Sequence, residues 1–310
     1  MYVSTIKDDI LKTILYYNIF KHPLTLEEIF AFCASPSDNR ENIKRELDTL
    51  VNGDDKLLGT LNGYYFVVPN NQYVEERLRK EDFSRKQWKT AKIMTMIIKV
   101  FPFVRGVFVT GTLSKNSSDE NSDIDFLIIC KDNRLWISRT LLRLFIKLFR
   151  LQRNNYLCAN YFLSESNLSI NDRNVFTATE LAHIKVMYNT ALLDKLIQQN
   201  TWIEDFFPNY ANSERDWHHT PFMTRDKKST VQSFFELFFP KKIGDWLDDL
   251  LLWAFISRKR AKSPRPEYQE NDTSVTIAKN AAKVHGSEID HRKKTLSTYK
   301  NIFCHYNLPC

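Results

Sequence analysis

The stretch "VFVTGTLSKNSSDENSDIDFLIIC", residues 107–130, decides how the rest of the chain is read. An apolar segment runs into Gly111 and Thr112, ten mostly polar residues follow, and Asp123 and Asp125 then open a second apolar run. Strand side chains alternate faces, so the two carboxylates are expected on one side and Ile124 and Phe126 on the other. A buried carboxylate costs roughly several kcal/mol unless a cation neutralises it, so the pair implies a positive partner or an open rim. Hard oxygen ligands at this spacing suit Mg²⁺ or Mn²⁺, ions that commonly bridge one or two carboxylates and the phosphates of a nucleotide. Upstream, Gly111 has no side chain to hold a phosphate away from the backbone, and Thr112 adds a hydroxyl donor. A helix starting there would add free amides that favour an anion.

Working outward, residues 71–100 are charged and helical in pattern and close ahead of Pro102, and a strand is expected from about Val104. After the aspartates, "NRLWISRTLLRLFIKLFRLQ" alternates apolar and basic positions at helical period, as a helix crossing back over a sheet does. "YLCANYFLS", residues 156–164, reads as a third strand. "FTATELAHIKVMYNTALLDKLIQQN" reads as one further helix of about six turns, with Thr177 and Glu180 as a capping box.

An apolar strand, Gly followed by Thr, ten residues, Asp-Ile-Asp and a second apolar strand together resemble the core of the polymerase-β-like nucleotidyltransferase superfamily. The match covers roughly residues 85–200. The resemblance implies an α+β fold, a small mixed β-sheet packed with helices. It also implies metal-dependent transfer of a nucleoside monophosphate from a nucleoside triphosphate to an acceptor that the sequence does not identify. It assigns Asp123 and Asp125 to the Mg²⁺ or Mn²⁺ and to catalysis, and Gly111, Thr112 and Ser122 to the nucleotide. Family enzymes supply a third carboxylate from the next core strand, and "YLCANYFLS" has none. Asn160 stands nearest the middle of that strand; its amide oxygen can ligate a metal but cannot accept a proton at neutral pH. Glu165, Asp172 and Glu180 are the nearest carboxylates able to substitute for it. The departure sustains a second reading, a catalytically inactive nucleotidyltransferase-fold protein that binds nucleotide as a regulator or scaffold.

Ahead of this core, residues 1–70 read as a separate unit. Ile6, Ile10, Leu11, Ile14, Leu15 and Ile19 fall at helical spacing, "TLEE" at 25–28 is a capping box for a second helix, and "NRENIKRELDTLVN" is a third. "KLLGTLNGYYFVV" reads as two short strands joined by Asn62-Gly63, a strong hairpin signal. Three helices and a hairpin resemble a winged helix, a fold best known for DNA binding. Phosphate attraction needs positive charge, and residues 1–70 carry 7 Lys and Arg against 10 Asp and Glu, which favours a packing or protein-contact module over a DNA reader.

Residues 71–225 would hold the catalytic core and 226–310 a helical region with a basic tail. "FFELFFPKKIGDWLDDLLLWAFISRKRAKSP" is aromatic-rich, broken near Pro240 and basic at its end. A helix lying on acidic lipid is one reading. Asp245, Asp248 and Asp249 would repel such a surface, so core packing is favoured over peripheral membrane contact. "PRPEYQENDTS" reads as a linker and "AKNAAKVHGSEIDHRKKTLSTYKNIF" as a last basic helix. His285, Asp290 and His291 lack the spacing of a zinc site.

Over the whole chain, 43% apolar and 26% charged residues are ordinary for a globular protein. Only 7 glycines against 22 phenylalanines argue for helices and aromatic packing, and against a Gly-rich nucleotide loop. Five cysteines, an odd number without close pairing, and the absence of a signal-peptide pattern favour a reducing cytoplasm. The longest fully apolar run, "LLLWAFI", is too short to span a bilayer.

Overall fold

A computed structural model of the chain describes residues 5–36, 39–53, 56–149, 157–213, 216–226, 229–262, 276–283, 291–306 and 308. The N-terminal helices are α1 (Ile6–Asn18), α2 (Leu26–Phe32) and α3 (Arg40–Asn52). At the head of α2 the expected capping box forms: the Glu28 amide donates to Thr25 Oγ1 at 3.3 Å, and the Thr25 amide donates to Glu28 Oε2 at 2.9 Å. The hairpin of β2 (Leu58–Leu61) and β3 (Tyr64–Val67) turns on Asn62 and Gly63, whose φ angles of 53° and 80° suit the twist of two-residue hairpin loops. A short β1 (Leu24–Thr25) pairs antiparallel with β3 and completes a three-stranded sheet of order β1-β3-β2. Helix α4 (Gln72–Ile98) ends before Pro102, as expected.

The second sheet has six strands. The quoted stretch forms β4 (Val104–Thr110), the single-turn α5 (Gly111–Ser114) and β5 (Asp125–Cys130). Helix α6 (Leu135–Leu148) then crosses to β6 (Cys158–Ser164), which runs parallel to β5. Next come α7 (Val175–Ala182), β7 (Lys185–Tyr188) and α8 (Thr190–Gln198). The C-terminal part supplies α9 (Thr230–Glu236), α10 (Lys241–Lys262), the hairpin of β8 (Thr276–Ile277) and β9 (Ala281–Lys283), and α11 (His291–His305). Strand order is β7-β4-β5-β6-β9-β8, antiparallel at every pairing except β5 with β6.

Three sequence expectations need correction. The helix expected over 176–200 is two helices separated by β7, whose four residues are all buried as the edge partner of β4. The cap of α7 is Asn174, which accepts from the Thr177 amide at 3.0 Å, so Thr177 and Glu180 form no capping box. The C-terminal region is not purely helical, because Ala281–Lys283 lines up along the free edge of β6. The linker-like stretch 264–274, and His285 and Asp290, lie outside the described residues.

Alternation along the strands places the two cores. Val107, Val109, Phe126 and Ile128 face the layer of α4, α6 and α10, and Phe108, Leu127, Ile129 and Val186 face the other side. That second core is continuous with the N-terminal helices: Phe32 of α2 stacks on His183 with ring centroids 4.5 Å apart. Asn209 donates to the carbonyls of Phe30 and Ser35, fixing the same contact. The site therefore lies at the end of a sheet clamped between helices on both faces.

Candidate functional site

Asp125 is the first residue of β5, opposite Thr110 on one side and Cys158 on the other. Asp123 is not inside the strand as expected; it stands exposed in the loop that enters it, while Ile124 is buried in the core on the far face. The chain leaves β4 at Thr110 and turns at Gly111, whose φ is +69°. A Cβ at that position would lie 2.4 Å from Asp125 Oδ2. Glycine is thus required twice, by the left-handed backbone and by the close approach of the aspartate.

Asn160 comes to Asp125 through an irregularity in β6. The pairing shifts between Phe126 with Ala159 and Leu127 with Tyr161, leaving Asn160 as the extra residue of a bulge. Its Nδ2 donates to Asp125 Oδ1 at 3.1 Å, and its Oδ1 accepts from Cys158 Sγ at 3.2 Å. The amide thus orients the aspartate.

A third carboxylate reaches the site from α7. The Gly111 amide donates to Glu180 Oε2 at 3.1 Å, and Lys115 Nζ pairs with Glu180 Oε1 at 2.5 Å. Lys115 Nζ also donates to the Gly111 carbonyl at 3.2 Å. Burial, then Glu180, then Asp123 push the Asp125 carboxyl up to about 7, against the pull of Lys115 and Asn160. The neighbouring Cys158 thiol is pushed up to about 12, chiefly by burial, so it is no nucleophile at neutral pH.

Of the other expected site residues, Thr112 is exposed in the single turn of α5, with its hydroxyl 3.3 Å from that of Ser118. Ser122 closes a turn instead of meeting Gly111: its hydroxyl donates to Asp119 Oδ1 at 2.8 Å and accepts from the Asp119 amide at 3.0 Å. Asp172 is held by Arg292 at 2.6 Å, and the Glu165 amide bonds the Cys130 carbonyl at the opposite end of β5. Among the candidate substitutes for the missing carboxylate, Glu180 is the one beside Asp125. Lys115 was not legible in the sequence; its only signal is its place one helical turn after Gly111.

Asp123 and Glu180 both repel the Asp125 carboxylate through their charge, and hard carboxylate oxygens suit a divalent cation. Among the described residues, no group of three or more His, Cys, Asp or Glu side chains is gathered closely enough to cage a metal ion. A cation at Asp125 would therefore complete its shell with water and phosphate, as Mg²⁺ commonly does. No protein-family model, curated protein or solved structure matches the chain.

Proposed function

We propose that the chain transfers a nucleoside monophosphate from a nucleoside triphosphate to an acceptor, in a metal-dependent reaction at the junction of β4 and β5. The observation that carries this reading is the approach of Asp125, oriented by Asn160, to the Gly111 backbone, with Asp123 and Glu180 facing the same carboxylate. The antiparallel β4 and β5, the α6 crossover and the parallel β6 support the resemblance to the polymerase-β-like nucleotidyltransferase core. Asp123 and Asp125 would hold a Mg²⁺ or Mn²⁺, which when bound supplies positive charge opposite the transferring phosphate. Lys115 and the Gly111 amide are the donors available to phosphate oxygens once they release Glu180. Glu180 is then free to take the acceptor's proton, a role Asn160 lacks the chemistry for.

The triphosphate is expected to bind only with a divalent ion, because the carboxylates otherwise repel it. Calorimetry with and without chelator checks this, and Asp123→Asn or Asp125→Asn should weaken binding by at least about tenfold. Equal affinity in chelator, or in the variants, removes the metal site.

A second reading has its own observation. Asn160, which cannot take a proton, stands beside Asp125 where the resemblance expects a third carboxylate, as in a nucleotidyltransferase-fold protein that binds nucleotide as a regulator or scaffold without turnover.

For residues 1–70, the order α1-β1-α2-α3-β2-β3 supports the winged-helix resemblance, and we propose a packing role instead of DNA reading. The second core extends into these helices, consistent with that role. The full chain should show no salt-steep binding to duplex DNA in fluorescence anisotropy; submicromolar affinity that falls with salt would overturn this.

A further inference from the structure

Among the described residues, helix α10 leaves one face uncovered. Ile243, Trp246, Leu250 and Trp253, spaced at helical period, are exposed along it, the two tryptophans by 64% and 65%. Phe234 of the preceding α9 is exposed too, as are Leu237, by 77%, and Phe238 in the turn that follows it. Scattered apolar residues on a surface are ordinary, but four large apolar side chains along one helix face mark an interaction face.

The acids that argued against lipid in the sequence all turn away from this stripe or are paired. Asp245 is bound by Arg134, just ahead of α6, and Asp248 is fully buried, accepting from the Ile137 amide at 2.9 Å. Asp249, at the flank, pairs with Lys279 at 2.9 Å. Glu236, the only acid between 229 and 244, is drawn inward to Arg105 at 2.8 Å. The exposed charges bordering the stripe are instead Lys241, Lys242 and Arg258, and the sequence of the helix ends in Arg-Lys-Arg-Ala-Lys.

We infer that the α9–α10 face docks onto an anionic membrane surface, with α10 lying flat and its tryptophans at headgroup depth. Three features favour lipid over a protein partner: Trp and Phe on the free face, cations at its borders and beyond its end, and no unpaired acid on it. The 22-residue helix is about 33 Å long, enough for a four-residue anchor line in the interface plane. Among the described residues no helix is long and apolar enough to cross a membrane, so the contact is peripheral.

The test is co-sedimentation of the full chain with vesicles of phosphatidylglycerol and phosphatidylcholine, against vesicles of phosphatidylcholine alone, with equilibrium sedimentation of the free protein. The expected result is binding to the anionic vesicles only, weakened by salt, and reduced at least about tenfold in the Trp246→Ser/Trp253→Ser variant. Both residues are solvent-exposed, so the variant should keep its fold, and unchanged circular dichroism verifies that. Equal binding of wild type and variant, equal binding to both vesicle types, or no vesicle binding at all overturns the inference. A self-associated wild type that becomes monomeric in the variant and ignores vesicles would also overturn it, assigning the face to a second copy of the chain.

Discussion

Arg77→Ala is expected to destabilise the chain by about 3 to 5 kcal/mol, the cost of leaving one member of a buried ion pair without its partner. Arg77 of α4 forks both guanidinium nitrogens onto Glu28 of α2, each at 2.7 Å, and its Nε bonds Glu81 at 2.9 Å. The side chains of Arg77 and Glu28 are 6% and 7% exposed. The guanidinium also bonds the Pro23 carbonyl and stacks 4.7 Å from the centre of the Tyr64 ring. Burial alone would raise the Glu28 carboxyl, but Arg77 overrides it and holds the carboxyl well below the usual range. A carboxylate with a depressed folded pKa stabilises fully above its unfolded pKa and loses that contribution as pH falls through the folded value. The deficit of Arg77→Ala should therefore shrink as pH falls through the ordinary carboxylate range, where the unfolded chain takes up a proton and the variant's Glu28, raised by burial without Arg77, is neutralised. Urea denaturation of wild type, Arg77→Ala and the double variant Arg77→Met/Glu28→Gln measures it. The double variant should lose less than Arg77→Ala, because no buried charge is left unpaired. A loss under about 1 kcal/mol for Arg77→Ala would mean that the pair is solvated.

What was legible in the sequence was local. Thr25 with Glu28, and Asn62 with Gly63, specify a cap and a turn through neighbours in the chain, and both form. Alternation correctly placed Asp125 opposite Ile124 and Phe126, because period two holds wherever both faces of a strand are packed. Two features depend on distant partners and were not legible. Strand β7 has a short apolar sequence between two helical ones, where periodicity cannot separate strand from helix; the free edge of β4 decides. Strand β9, "AAK", has no β-branched residue, and its extended form comes from the edge of β6.

The same distinction governs the site. Gly111, Asp123 and Asp125 were readable as a motif because the hairpin of β4 and β5 brings them together locally. The position of Asn160 against Asp125 depends on a bulge, which no spacing rule forecasts. Glu180 enters from α7, where its helical position gave no reason to prefer it to Asp172. Asp172 is engaged by Arg292 of α11 at 2.6 Å, a contact spanning 120 residues.

For the proposed nucleotidyl transfer, Glu180→Gln is expected to lower the rate by about 10²- to 10⁴-fold, the usual contribution of a general base. The substitution keeps the size of the side chain and one oxygen, able to accept from either the Gly111 amide or Lys115, which bond different carboxylate oxygens of Glu180, so the packing of α7 should persist. What it removes is the negative charge facing Asp125 and the capacity to take a proton. The assay presents the four α-labelled triphosphates and a cell extract to wild type, Asp123→Ala and Glu180→Gln, with triphosphate affinity measured in parallel. Label transfer by wild type that vanishes with Asp123→Ala and falls steeply with Glu180→Gln at unweakened affinity assigns Glu180 to the chemical step. Transfer that survives Glu180→Gln undiminished removes Glu180 from that step. A silent wild type whose triphosphate affinity rises in Glu180→Gln identifies the carboxylate as an occupant of the phosphate donors, and moves the chain to the nucleotide-binding regulator. The two roles thus separate on one side chain, because a base is missed in the rate and an occluding anion is missed in the affinity.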